Sequence, residues 1–133
     1  MSQLIASIIK INTLDGLNIV QFDFLGIPLK MMSLDLSKDI QVGKKVLLGV
    51  KSTNISIAKN LQGEISLSNQ IIAKIQNVQN GELLSSITLK KDDILIESII
   101  TVDSSKRMDL KENDEVTLLI KASDLSILEV IND

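Results

Sequence analysis

Apolar and polar residues alternate in short runs along most of the chain, which is the pattern of strands that bury one face. In residues 17–24, for example, Val20, Phe22 and Phe24 alternate with polar residues. Applied to the whole sequence, the pattern predicts strands at residues 4–11, 17–24, 27–32, 45–50, 63–67, 71–78, 83–89, 94–102, 115–121 and 126–130.

Helical patterns are confined to two short stretches, residues 33–38 and 102–108. Turn pairs such as Asp15-Gly16 and Asn80-Gly81 separate the predicted strands. Many short strands with one small helix in each half are typical of a five-stranded, partly closed barrel of the oligonucleotide/oligosaccharide-binding (OB) type. The predicted fold is therefore mostly all-β, with two tandem small five-stranded OB-like barrels, each with one short helix.

The two halves of the sequence resemble each other. A gapless register places Val46 on Val116, an offset of 70 residues, and gives both copies a turn, an apolar strand, a lysine and a second short strand. We interpret the repeat as two modules, residues 1–58 and 59–133. No linker rich in Gly, Ser or Pro separates them, so a rigid junction is expected. Barrels of this size are near the lower limit for independent stability, which favours pairing between modules or between chains.

The composition excludes most enzyme chemistry. Cysteine and histidine are both absent, which removes disulfides, thiolate nucleophiles, the usual zinc sites and imidazole catalysis. Acidic clusters occur at Asp92-Asp93 and at residues 112–115, but both lie at predicted turns and neither has the spacing of a calcium-binding EF-hand loop. We therefore predict no catalysis and no cofactor or metal site.

Charge and hydropathy restrict the partners. The net charge is −3 and the only aromatic residues are Phe22 and Phe24, so the chain lacks the basic field and the exposed aromatics that bind nucleic acids. The first residues have no basic segment typical of a signal peptide, and no apolar run approaches membrane-spanning length. We expect a cytoplasmic protein with no nucleic-acid partner and no membrane insertion.

Hydroxyl groups and lysines that suit a tetrahedral oxyanion occur in a few short segments. Thr101 stands at the start of the second predicted helix and Ser104 follows three residues later, so both hydroxyls and free backbone amides can face one point. Lys121-Ala122-Ser123 ends a predicted strand, where the lysine can turn onto a ligand. Taken alone, each segment also has an ordinary interpretation: a helix cap for Thr101 and a surface lysine with a packed stem for Lys121.

Together these segments resemble the molybdate-binding Mop domain of molbindins, within the broader TOBE family of molybdate regulators and transporter ATPases. The Ser-Ala-Arg-Asn type segment that precedes Leu-x-Gly in the family is matched by residues 56–63, its Thr-x-x-Ser step by Thr101 to Ser104, and its closing Lys-Ala-Ser by Lys121-Ala122-Ser123. The tandem arrangement looks like a di-Mop unit. The resemblance implies an oxyanion site made by Thr101, Ser104, Lys121, Ala122, Ser123, Ser56, Ala58 and Lys59, which lies between the chains of a homo-oligomer, at least a dimer.

The chain departs from the family pattern in two places. Ala58 stands where the family has arginine, which leaves Lys59 as the nearby cation. In the first half the gapless register puts Met31 and Leu34 opposite Thr101 and Ser104, so the hydroxyls are missing. Lys51, Ser52 and Thr53 remain there, and we expect a weak or absent site in the first module against an intact motif in the second.

The leading hypothesis is therefore a cytoplasmic protein that stores, buffers or senses molybdate or tungstate in molybdenum homeostasis. The alternative is a protein-interaction or regulatory module of a molybdate transporter or repressor system, without a ligand of its own. No helix-turn-helix segment precedes Leu4, so we do not expect the chain to read DNA.

Overall fold

The computed structural model describes residues 1–132, which form strands joined by short loops and very little helix. The strands are β1 (Ser2–Leu14), β2 (Leu17–Phe24), β3 (Ile27–Ser33), β4 (Lys45–Val50), β5 (Ser56–Ala58), β6 (Asn69–Asn80), β7 (Leu84–Lys91), β8 (Ile94–Thr101), β9 (Glu115–Ile120) and β10 (Ser126–Ile131). The helix α1 spans Val102–Arg107, and two 3₁₀ helices span Ser52–Asn54 and Ala122–Asp124. No helix in the described part of the chain is long and apolar enough to cross a bilayer.

Most predicted elements are present, and two are wrong. Residues 63–67 contain bends and no strand, because the left-handed backbone of Gly63, with φ 86°, interrupts the extended chain. Residues 33–38 form no helix: β3 continues to Ser33, whose hydroxyl donates to the carbonyl of Asp35 at 2.7 Å and so offers the backbone a local turn instead. The second predicted helix, residues 102–108, is confirmed by α1.

The strands form two five-stranded sheets that exchange a strand. The first sheet has the order β10-β4-β1-β2-β3 and the second has the order β5-β9-β6-β7-β8. β5 follows the strands of the first sheet in the sequence but pairs with β9, whereas β10, the last strand, pairs with β4. The sheets thus draw on both of the sequence halves at 1–58 and 59–133, and each half supplies a strand to the sheet of the other.

The repeat in the sequence becomes a repeat in the structure, with one change of register. Val20 of β2 is equivalent to Ile87 of β7, an offset of 67 residues, because both pair at the same place beyond the bulge of the neighbouring strand. From β4 and β9 onwards the offset is 70 residues, as between Val46 and Val116. The three additional residues lie between β8 and β9, where α1 forms. The gapless register is therefore wrong before β4, and Leu34 is the equivalent of Thr101.

The core is aliphatic and follows the alternation of the strands. Along β1 and β6 every second residue of the first half of the strand is buried, which places Leu4 and Ile71 at equivalent points of the two sheets. Both phenylalanines are inside, since Phe22 and Phe24 are 0% and 1% exposed. The aromatic rings are therefore packed in the first sheet and are not available for stacking on bases.

Asn69 joins the two sheets. It is fully buried at the start of β6. Its Oδ1 accepts the backbone N–H of Lys30 at 2.6 Å and its Nδ2 donates to the carbonyl of Lys30 at 2.8 Å. Because both backbone groups of a β3 residue are satisfied by one side chain from β6, this amide fixes how the sheets meet.

Candidate functional site

Thr101 ends β8 and caps α1. Its backbone is extended, and its Oγ1 accepts a hydrogen bond from the backbone N–H of Ser104 at 3.3 Å. The same hydroxyl donates to Ser104 Oγ at 3.0 Å, so the two hydroxyl groups touch. The N–H of Val102 donates to the carbonyl of Leu83, which fixes the start of the helix against the preceding hairpin. The structure therefore brings the two hydroxyls together at one exposed point, as the spacing predicts.

Arg107 extends this group, and sequence reasoning missed it. Its Nη2 donates to Ser104 Oγ at 3.2 Å. Residues three apart on a helix are neighbours, so Thr101, Ser104 and Arg107 form a continuous row of donors along one side of α1. Arg107 is the only arginine of the chain. Its spacing of three residues from Ser104 was the signal that could have identified it.

Lys59 lies at the other end of the same helix. Its Nζ donates to the carbonyls of Met108 and Asp109, both at 3.0 Å, and lies 3.2 Å from Asp114 Oδ2. Carbonyls at the end of a helix have no partner within the helix, and a lysine commonly satisfies them. The ammonium of Lys59 is thus engaged within its own chain.

The carboxylate of Asp114 is held in its ionised form. Partial burial raises its pKa, but the hydrogen bonds from Lys59 and from the backbone N–H of Lys111, together with the charges of both lysines, outweigh that effect and hold the pKa below its ordinary value. At neutral pH the carboxylate is therefore available as the counter-ion of Lys59.

Ser56 and Ala58 lie on β5, at the edge of the second sheet. The strand pairs with β9, and Ala58 stands opposite Thr117. Ser56 is exposed and Ala58 is half-buried. These residues belong to the same sheet as Thr101, which ends β8. Ala58 offers a ligand only its backbone and a methyl group.

Lys121, Ala122 and Ser123 belong to a different environment. Lys121 precedes the second 3₁₀ helix, which packs against β3 of the first sheet, whereas α1 packs against β7 and β8 of the second. Ser123 borders a surface depression of about 270 Å³ that it shares with Met31 and Ser33. One chain therefore presents the candidate residues in two groups: Thr101 and Ser104 with the segment from Ser56 to Lys59, and separately the segment from Lys121 to Ser123.

The first half holds no equivalent of the hydroxyl pair of Thr101 and Ser104. Leu34, the structural equivalent of Thr101, is 77% exposed. Ser52 is buried in the first 3₁₀ helix and donates to Glu97 Oε1 at 3.0 Å, while Ser86 donates to the other carboxylate oxygen at 2.8 Å. Hydrogen bonds from Ser86 and Ser52 hold the pKa of Glu97 below its ordinary value. The hydroxyl of Ser52 is therefore used in joining the first 3₁₀ helix to the second sheet.

Comparisons with known proteins agree with this architecture. Residues 65–127 match the family model of the TOBE domain. Comparison with curated proteins gives no significant match. A crystal structure of the cytoplasmic molybdate-binding protein ModG, with molybdate bound, superposes with a TM-score of 0.88 at 18% sequence identity, over 94% of this chain and 93% of that chain. The predicted architecture of two OB-like barrels and the resemblance to the TOBE family are thereby confirmed.

Proposed function

We propose that this protein binds molybdate or tungstate and stores, buffers or senses the oxyanion in the cytoplasm, without catalysis. The observation that carries the proposal is the hydroxyl pair of Thr101 and Ser104, held together at the start of α1. The pair lies inside the segment that matches the TOBE domain. A molybdate-binding protein of the same fold along nearly the whole chain supports the same ligand class.

The chemistry of the donors suits a dianion in an acidic protein. Hydroxyl hydrogens rotate freely, so the bond between Thr101 and Ser104 can be exchanged for bonds to an oxyanion. A hydrogen bond to a charged group contributes about 1.5–3 kcal/mol net. About five or six such bonds would offset the loss of hydration and leave a binding free energy of about −8 kcal/mol, which is micromolar affinity.

The site requires more than one chain. Within a chain, Ala122 and Ser123 lie in the 3₁₀ helix that follows Lys121 and packs against the first sheet, whereas Thr101 ends β8 of the second sheet and Ser104 lies in α1, which packs against that sheet. This separation supports an oxyanion site that is formed where two copies meet. The exposed leucines beside the hydroxyl pair support this arrangement: Leu83 is 80% exposed and Leu84, the pairing partner of Thr101, is 56% exposed. Apolar side chains of this kind are what a subunit interface covers.

Thermal unfolding with and without ligand tests the proposal. Molybdate is expected to raise the melting temperature of the wild-type protein, because a ligand of the native state stabilises it by mass action. Phosphate at the same concentration should not raise the melting temperature. The double substitution Thr101→Val with Ser104→Ala should abolish the increase, while Thr88→Val, which removes a hydroxyl from β7 of the same sheet, should keep it. An identical wild-type melting curve in buffer, molybdate and tungstate would sink the proposal.

The same samples test the assembly. Light scattering after size exclusion should give a mass of at least two chains for the wild type in the presence of molybdate. A protein that binds molybdate as a single chain would contradict a site between copies while leaving oxyanion binding intact.

A further inference from the structure

We propose that Arg107 provides a positive charge within the oxyanion site and binds the ligand directly beside Thr101 and Ser104. The inference rests on the proposed function and adds a residue that the family resemblance does not supply. The guanidinium of Arg107 also offsets the negative charge of Asp103, the acidic residue in the first turn of the same helix, so an acidic chain can hold a dianion there.

Within one chain, neither lysine expected from the sequence contacts the hydroxyl pair. Lys59 forms an ion pair with Asp114 and donates to two backbone carbonyls at the far end of α1. Lys121 precedes the 3₁₀ helix that packs against the first sheet. In the part of the chain that the structure describes, Arg107 is the cationic side chain that contacts the hydroxyl pair.

The geometry around Arg107 suits a ligand. Ser104 Oγ lies 3.2 Å from Arg107 Nη2 and 3.0 Å from Thr101 Oγ1, so the guanidinium continues the row of hydroxyl donors. A guanidinium has five N–H donors in a planar fork. The side chain is exposed and neither ion pair of the described residues includes it. Its remaining donors can therefore bind two oxygens of a tetrahedral anion at once.

Titration calorimetry with sodium molybdate on the full chain tests the role of Arg107. Arg107→Gln should weaken binding about ten- to a hundred-fold, the loss expected for one charged hydrogen-bonding ligand. Arg107→Lys keeps the charge without the fork and should give an intermediate affinity. Lys106→Gln is the matched control, because it removes the same charge from the neighbouring exposed residue of α1, and it should change the affinity less than about two-fold.

The melting temperature without ligand separates a binding role from a structural one. Since Arg107 is exposed, the three variants should melt like the wild type in the absence of molybdate. If Arg107→Gln does not fold, Arg107→Lys decides: weaker binding with an unchanged melting temperature supports the proposal, and wild-type affinity overturns it.

The remaining outcomes distinguish this inference from the proposed function. A wild-type protein that binds no molybdate overturns both. A wild-type protein that binds molybdate, with an Arg107→Gln variant that binds equally well, overturns the role of Arg107 alone. Equal weakening by Arg107→Gln and Lys106→Gln also overturns it, because the effect would then be one of net charge and not of a ligand contact.

Discussion

The ammonium group of Lys59 lies 3.2 Å from the carboxylate of Asp114 in the same chain. Lys59 follows directly after β5, the strand that the first half supplies to the second sheet, and Asp114 precedes β9, with which β5 pairs. The pair therefore joins the exchanged strand to the loop that contains α1. Because α1 begins at Thr101 and contains Ser104, this contact helps to hold the segment that carries the candidate site.

Replacing Lys59 by methionine should lower the melting temperature by several degrees. The substitution leaves the carbonyls of Met108 and Asp109 without their donor and removes the counter-ion of Asp114. The matched control is Lys111→Met, which removes an ion pair with Asp109 in which both side chains are mostly exposed, at 66% and 78%. Circular dichroism during heating checks the difference, and equal melting temperatures for the two variants would show that Lys59 has no special structural role.

Stability should fall in acid because two carboxylates have lowered pKa values in the folded state. Glu97 accepts hydrogen bonds from Ser86 and Ser52, and Asp114 accepts them from Lys59 and the backbone of Lys111. A lowered folded-state pKa favours folding above the unfolded-state value, which is near 4.5 for Glu and 3.8 for Asp. This contribution is lost as the pH falls through the folded-state pKa values, which lie below these.

Urea unfolding between pH 3 and pH 7 checks this dependence. Asp114→Asn should flatten the acid side of the stability curve relative to the wild type, whereas Asp93→Asn, at an exposed turn, should leave its shape unchanged. A curve for Asp114→Asn with the wild-type slope would contradict the prediction.

The strands could be predicted because local alternation determines them. Residues 17–24 and 45–50 match β2 and β4 to the residue, because β2 alternates between buried and less buried positions and β4 is a short, mostly buried apolar run. β5 has three residues and therefore no period to detect. The strand exchange has a different cause: β5 and β10 both begin with Ser-Ile and each follows a 3₁₀ helix, so the repeat fits either sheet and the sequence does not select the partner.

In the candidate site, too, contacts between residues close in the sequence could be predicted and contacts between distant residues could not. The contact of Thr101 with Ser104 spans three residues and could be read from helix-capping rules. The partners of Lys59 are 49 or more residues away in the sequence, so its contacts with the end of α1 could not be predicted from the segment in which it lies. A long side chain can reach many partners, and which of them it contacts depends on which strands become neighbours.

Asn69→Ala should destabilise the protein by about 1–3 kcal/mol, the usual cost of leaving a buried polar group without its partner. The substitution removes both hydrogen bonds to the backbone of Lys30 and leaves a cavity where the sheets meet. Asn18→Ala is the comparison, because the hydrogen bonds of Asn18 stay within the first sheet: it accepts from the hydroxyl of Thr13 at 2.6 Å and donates to the carbonyl of Ser33 at 3.3 Å. Urea unfolding gives both free energies, and a smaller loss for Asn69→Ala than for Asn18→Ala would show that the amide does not join the sheets.

Deleting residues 126–133 should unfold or aggregate β1 to β4 of the first sheet and leave the second sheet formed. β10 covers the edge of β4, so its removal exposes unpaired backbone groups and uncovers apolar side chains at an edge. The second sheet keeps all five of its strands, because β5 comes from the first half. Deleting only residues 132–133 is the control and should leave the fold intact. Size exclusion and hydrogen exchange check the result: strong protection of β6 to β9 with rapid exchange in β1 to β4 is expected, and uniform protection of both sheets in the longer deletion would refute the dependence of the first sheet on the exchanged strand.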